Sequence, residues 1–270
     1  MNFQNASIET VRRFWDDRPC NLMHSRREPG SREYFDEVER RRYFVEPHIP
    51  GFAAFGRWAG KRVLEVGCGI GTDTISFARA GARVIAVDLS ERSLDVARRH
   101  AEVYGVEVGF YAADAERLSD TLPLEPYDLV YSFGALHHTP HPERALTQIR
   151  PYLSPTGTLK LMMYHRRSWK VLAITRGRFW DQKLIARHSE AQTGCPVTYT
   201  FTRRSLAALL TQCGFRPERF DVEHIFPWRV ADYVEYRYVK EWYWRYLPAA
   251  VFHAIERRLG WHLCATAVAC

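Results

Sequence analysis

Residues able to do chemistry crowd into a few short stretches of the chain. SFGALHHTPHPE (132–143) holds three histidines, His137, His138 and His141, in twelve residues. Imidazoles there could bind a metal, carry a proton, or only bond the loop. A metal needs converging ligands, adjacent residues rarely point the same way, and no nearby Cys, Asp or Glu completes a set. No metal is therefore expected on this loop. GCGIGTD (67–73) carries Gly67, Gly69 and Gly71. Such glycines let a backbone turn tightly and approach a ligand. The dinucleotide fingerprint GxGxxG is broken, however, by Thr72 where its third glycine belongs. Glu65 stands just before the loop, where it would repel a pyrophosphate and attract an ammonium or sulfonium. Asp88 could accept both hydroxyls of a ribose. Its competing role, a helix N-cap, is better filled by Ser90. Asp114 could accept a hydrogen bond from an adenine amino group, or be a solvated turn acid.

The elements that must position these residues are legible between 61 and 165. Apolar runs at 61–67, 83–90, 106–118, 127–133 and 156–165 read as strands. Segments 72–82, 91–105 and 143–153 between them read as helices. Strands alternating with helices of this length predict βαβ units and a parallel sheet. In open α/β sheets, ligands lie outside the carboxyl ends of the strands. The residues singled out above fall at those ends. Downstream come a helix pattern closed by Gly214, a strand-like run near 219–226 and the apolar run WHLCATAVA at 261–269. Residues 1–55 read as charged, aromatic helices broken by Pro19, Pro29, Pro47 and Pro50.

Composition bounds the class. A chain of 270 residues with 46% hydrophobic and 26% charged residues suits a soluble globular domain with an elaboration. No apolar run is long enough to span a bilayer, and MNFQNASIETVRRFWDD has no secretory pattern, so a cytoplasmic location is expected. The six scattered cysteines predict free thiols. Net charge is +7, but the arginine clusters are spread along the chain and interleaved with acids. That pattern favours solvated helix faces over a nucleic-acid surface.

In order and spacing, VLEVGCGIGTD, VIAVDLS, AADAE and YDLVYSFGALHH resemble the successive motifs of class I S-adenosylmethionine-dependent methyltransferases. The resemblance covers roughly 60–165. The chain is also similar in style to small-molecule and natural-product members, which cap the pocket with elements like 1–55 and 166–260. The resemblance implies a Rossmann-like α/β fold with a seven-stranded, mostly parallel sheet whose last strand is antiparallel. It implies a helical N-terminal cap (1–55), a methyltransferase domain (56–270), and cap elements from 166–200 and 225–260. The cofactor would be S-adenosyl-L-methionine, and the product S-adenosyl-L-homocysteine. Glu65 and Gly67, with Gly69, Gly71 and Asp73, would lie near the methionine part. Asp88 and Leu89 would hold the ribose, Asp114 and Ala115 the adenine, and Ser132 and Phe133 would run along the cofactor.

Methyl transfer is an in-line displacement that needs an aligned acceptor and somewhere for its proton to go. Related small-molecule enzymes often place a histidine after this strand. His138 is accordingly the candidate base or orienting group, with His137 beside it and a purely structural role competing. Trp15, Tyr34, Tyr43, Tyr164, His165, Glu190 and Tyr199 are candidates to line the acceptor side, and Arg18 to pair with the methionine carboxylate. The expected acceptor is a small polar molecule methylated at O or N. Transfer or cyclisation of the aminocarboxypropyl arm, and methylation of RNA or protein, are the alternatives. The aromatic stretch 224–252 leaves three readings open: a packed helical insertion, a peripheral membrane contact, or a dimer contact. Monomer and homodimer are both open.

Overall fold

The computed structural model describes residues 3, 5–189 and 195–270. Among the described residues, eight strands form one sheet: β1 (Arg62–Val66), β2 (Arg83–Asp88), β3 (Val108–Ala112), β4 (Tyr127–Phe133), β5 (Leu153–His165), β6 (Thr200–Phe201), β7 (Phe215–Glu223) and β8 (His262–Ala269). Their order is β3-β2-β1-β4-β5-β8-β7, with β6 paired to β5 off this path. Only β8 runs against its neighbours, β5 and β7. The seven-strand path is the expected one. The eighth strand, β6, was not anticipated: it pairs Thr200 with Tyr164 at the end of β5, beyond the last β4 pair, Phe133 with Met162.

The central strands read as unbroken apolar runs because helices cover both faces of the sheet. Side chains alternate across it. Leu64, Val130, Leu159 and Leu206 pack on one face, and Val63, Phe77, Leu129 and Met162 on the other. β1 lies between β2 and β4, with Leu64 opposite both Ile85 and Val130. Its carboxyl end therefore opens at the middle of the sheet, where strand order reverses. Ligands of open α/β sheets bind there.

Two outer blocks close over those ends. Helix α1 (Ile8–Asp17) starts on Ser7, and α2 (Arg32–Val45) on Ser31, each serine accepting from a first-turn N–H. Tyr34, Phe35 and Val38 of α2 pack against Ile70, and Phe35 stacks on His100 at 4.0 Å. The second block, between β7 and β8, holds short helices Val230–Val234, Trp242–Arg245 and Ala249–Leu259. Arg41 joins the two blocks. Its guanidinium lies 4.3 Å from the Tyr233 ring and 3.9 Å from the Tyr236 ring, and it donates to the Tyr233 carbonyl at 2.7 Å. No described helix is long and apolar enough to cross a membrane. None of the six cysteines, all of them described, is in a disulfide.

Candidate active site

A cavity of about 350 Å³ lies at the carboxyl ends of β1, β2, β4 and β5, roofed by residues of α1 and of the β7–β8 block. One half is the glycine loop and the acids beside it. Gly67 adopts φ +81°, and a Cβ there would clash with the Ala135 Cβ, so the position excludes any side chain. Asp88 accepts from the Gly69 N–H at 2.8 Å and the Ser90 N–H at 2.9 Å. Burial pushes its carboxyl above the usual range, and these backbone donors oppose that. Each oxygen keeps a lone pair for a further donor. Ser90 caps the following helix, which releases Asp88 from that duty. Asp114 accepts from the Glu116 N–H at 2.9 Å, so it also caps a short turn. Glu65 is buried, accepts from the Thr74 hydroxyl at 2.5 Å, and is held well above the ordinary carboxyl range by burial and by nearby Asp73. A bound ammonium would relieve that cost.

Asp73 lines the cavity, but its oxygens are already engaged. Arg42 grips it with Nε at 3.2 Å and Nη2 at 3.0 Å. Tyr43 and Tyr131 donate to it at 3.0 and 2.9 Å. This carboxylate ties α2 to the helix after the glycine loop and acts as a clasp. Arg42, which sequence reasoning did not single out, also lines the cavity. Arg18, expected to pair with the methionine carboxylate, lies exposed outside the cavity over the Phe14 ring.

The other half belongs to histidines and aromatics. His138 is buried and lines the cavity. Its Nδ1 lies 2.8 Å from the Val197 carbonyl. A carbonyl only accepts, so Nδ1 carries the proton and Nε2 the lone pair in the neutral ring. Trp15 meets this ring edge-on at 5.2 Å. His137 does not line the cavity. It packs behind Tyr164 at 3.8 Å between ring centroids, and burial holds its ring neutral, well below the usual histidine range. Of the two histidines named as catalytic candidates, His138 lines the cavity and His137 lies behind it.

The other predicted residues divide. Gly69, Leu89, Ala115, Phe133, Trp15 and Tyr164 line the cavity. Ser132 does not: it donates to the Val66 carbonyl at 2.8 Å, tying β4 to β1. Gly71, at φ +79°, opens the next helix from beneath the loop. Tyr34 bonds the Leu22 carbonyl inside the cap, Tyr43 serves the clasp, and His165 bonds the Gly260 carbonyl. Tyr199 donates to the Pro140 carbonyl at 3.0 Å and its N–H to His137 O at 2.9 Å. It fastens its segment to the histidine loop outside the cavity. Glu190 lies outside the described residues.

Sequence reasoning passed over Glu46, His48, His224 and His262, which meet at the histidine end of the cavity. His48 Nε2 lies 3.0 Å from His262 Nδ1, and His262 Nε2 lies 3.5 Å from Glu46 Oε1. His224 stacks on His262 at 4.6 Å. Burial lowers His48 to about 4 and His224 to about 3. These residues sit in three remote segments with no shared motif, so only the fold could reveal them.

Residues 63–157 match the family model described as a methyltransferase domain. Over 163 residues the chain is 33% identical to the ubiquinone biosynthesis O-methyltransferase of Bordetella bronchiseptica, a match covering 60% of this chain and 65% of the relative. The chain thus spans a little under two thirds of that relative's length. Among solved structures, it is similar to magnesium protoporphyrin IX methyltransferase from Synechocystis PCC 6803 with bound SAH. The TM-score is 0.62 at 16% identity, covering 98% of this chain and 100% of that one. An S-adenosylmethionine-dependent methyltransferase from Mesorhizobium loti superposes with a TM-score of 0.57 at 21% identity, covering 82% and 96%. Sequence motifs, sheet order and family match agree: residues 63–157 match a methyltransferase domain, set in the sheet order of the class I S-adenosylmethionine-dependent fold.

Proposed function

We propose that the protein transfers a methyl group from S-adenosylmethionine to an oxygen or nitrogen of a small molecule. The observation that carries this reading is one cavity with two unlike ends: buried acids on a glycine loop, and a lone-pair imidazole facing them from the next strand end.

The residues fit the cofactor. The side-chain-free cradle at Gly67 admits a close backbone approach. Asp88, with both oxygens fixed by backbone donors, suits a ribose diol, and Glu65 suits the methionine ammonium. Asp114 and the Ala115 backbone would meet the adenine. When bound, the sulfonium supplies a methyl group already activated toward a nucleophile. The chain's own task is alignment and proton removal. His138 takes the acceptor's proton on Nε2, its ring aimed by the Val197 carbonyl. Trp15 and Phe133 exclude water beside it. The roof of α1 and the β7–β8 block favours a small acceptor over RNA or protein. The O-methyltransferase relatives are consistent with an oxygen acceptor.

The test is the nucleoside product. Purified protein incubated with S-adenosylmethionine and a metabolite extract is expected to release S-adenosylhomocysteine. Release of methylthioadenosine instead would move the reading to the aminocarboxypropyl arm.

A further inference from the structure

Four residues from three parts of the chain build a polar nest at the acceptor end that the methyl-transfer reading does not use. One ligand atom from each of Glu46, His224 and His262 lies within 4.8 Å of the others. Three nitrogens or oxygens on one divalent ion stand about 3.4–3.6 Å from one another at bond lengths of about 2.0–2.2 Å. The three atoms could therefore embrace a single ion after side-chain movements of about 1 Å. His262 is already placed for it. His262 has Nδ1 against His48 Nε2 at 3.0 Å and Nε2 toward Glu46 Oε1 at 3.5 Å. If Nδ1 donates to His48, the lone pair of His262 sits on Nε2, facing the carboxylate. This is the outer-partner arrangement that fixes the tautomer of metal-bound histidines. His224 is held at φ +69°, in the left-handed region a non-glycine residue rarely adopts. Glu46 has Oε2 at 4.0 Å from Arg42, but Arg42 directs its two close contacts to Asp73. The Glu46 oxygen toward His262 is the other one.

We propose that Glu46, His224 and His262 bind one divalent transition-metal ion of the zinc class, with His48 as the outer partner that orients His262. Two imidazoles and one carboxylate leave coordination positions open, as in catalytic rather than structural sites. All three residues line the cavity with His138 and Tyr164, and His262 lies edge-on to Phe133 at 5.4 Å. The open positions serve an oxygen donor of the acceptor, polarising its O–H so that the proton passes more readily to His138. That role rests on the methyltransferase reading; the presence of the ion does not.

The probe is Co²⁺, with Zn²⁺ as competitor, on full-length protein stripped by chelator. One equivalent is expected to bind, with the visible absorption of four- or five-coordinate Co²⁺, and to be displaced by Zn²⁺. Glu46→Gln and His224→Asn should each weaken binding about a hundredfold, and His48→Phe about 10–100-fold, the effect seen for outer partners. Exposed His253→Ala is the control. S-adenosylhomocysteine affinity, measured on the same samples, should persist in His224→Asn, which shows that the variant is folded. Absence of saturable Co²⁺ binding by wild-type protein that binds the nucleoside overturns the proposal. So does unchanged binding in folded Glu46→Gln and His224→Asn. Failure to bind S-adenosylhomocysteine with Co²⁺ binding intact would instead overturn the methyltransferase reading alone.

Discussion

At the scale of single residues, the glycine-loop end of the cavity was legible in the sequence and the histidine end only in part. Gly67, Asp88 and Asp114 each stand within two residues of a strand's carboxyl end, so local pattern placed them at the cavity. His138 could be named from its loop, but its tautomer depends on the Val197 carbonyl, which the short strand β6 brings across. Arg42 and the Glu46–His224–His262 group had no local signal at all. Two predictions belong here. Asp88→Asn keeps the shape but removes the charge that would accept the ribose hydroxyls. It should weaken S-adenosylhomocysteine binding by about 1.5–3 kcal/mol, the range for hydrogen bonds to charged groups, read by calorimetry. His138→Gln should lower turnover by about 10²–10⁴-fold while nucleoside affinity holds. Unchanged turnover would leave His138 a loop residue.

At the scale of elements, sheet strands with both faces covered announced themselves, and β4 falls at its expected boundaries, Tyr127–Phe133. The last-but-one strand was misjudged near 219–226. It runs Phe215–Glu223 with a bulge at Pro217/Arg219, which breaks the two-residue alternation a reader looks for. The packing of α2 was invisible because the clasp crosses between segments. Asp73 holds Arg42, Tyr43 and Tyr131 at once, and Arg42 is only 14% exposed. Asp73→Ala should therefore destabilise the fold by about 3–5 kcal/mol, the cost of leaving one partner of a buried pair. Denaturant unfolding would measure it. A loss under 1 kcal/mol would mean that Arg42 finds solvent and the clasp is weak.

At the scale of the whole molecule, two blocks remote in sequence meet over the sheet; His24 lies half-buried against Tyr233 where they meet, and His100 is buried where α2 packs on the domain. Burial and Arg41 lower His24 to about 3. Burial lowers His100 to about 4, beside Phe35. Folded-state values below the unfolded value of about 6.5 mean the native form prefers the neutral ring. Their stabilising effect is full above about pH 6.5 and is lost as pH falls toward the folded values. Each costs at most about 1.4 kcal/mol per pH unit over that window. Thermal melts from pH 8 to 4.5 should show a flat upper region and a steepening fall below 6.5. His100→Phe should flatten part of that fall.

The most direct test of methyl transfer within one roofed cavity follows the methyl group itself. Protein incubated with methyl-deuterated S-adenosylmethionine and a host metabolite extract would be separated into small molecules, RNA and protein, and each analysed by mass spectrometry. The label is expected in a small molecule, in amounts matching the S-adenosylhomocysteine formed, and lost with His138→Gln. Label found instead in RNA or protein, or remaining in a cofactor whose other arm has been transferred, would contradict the account.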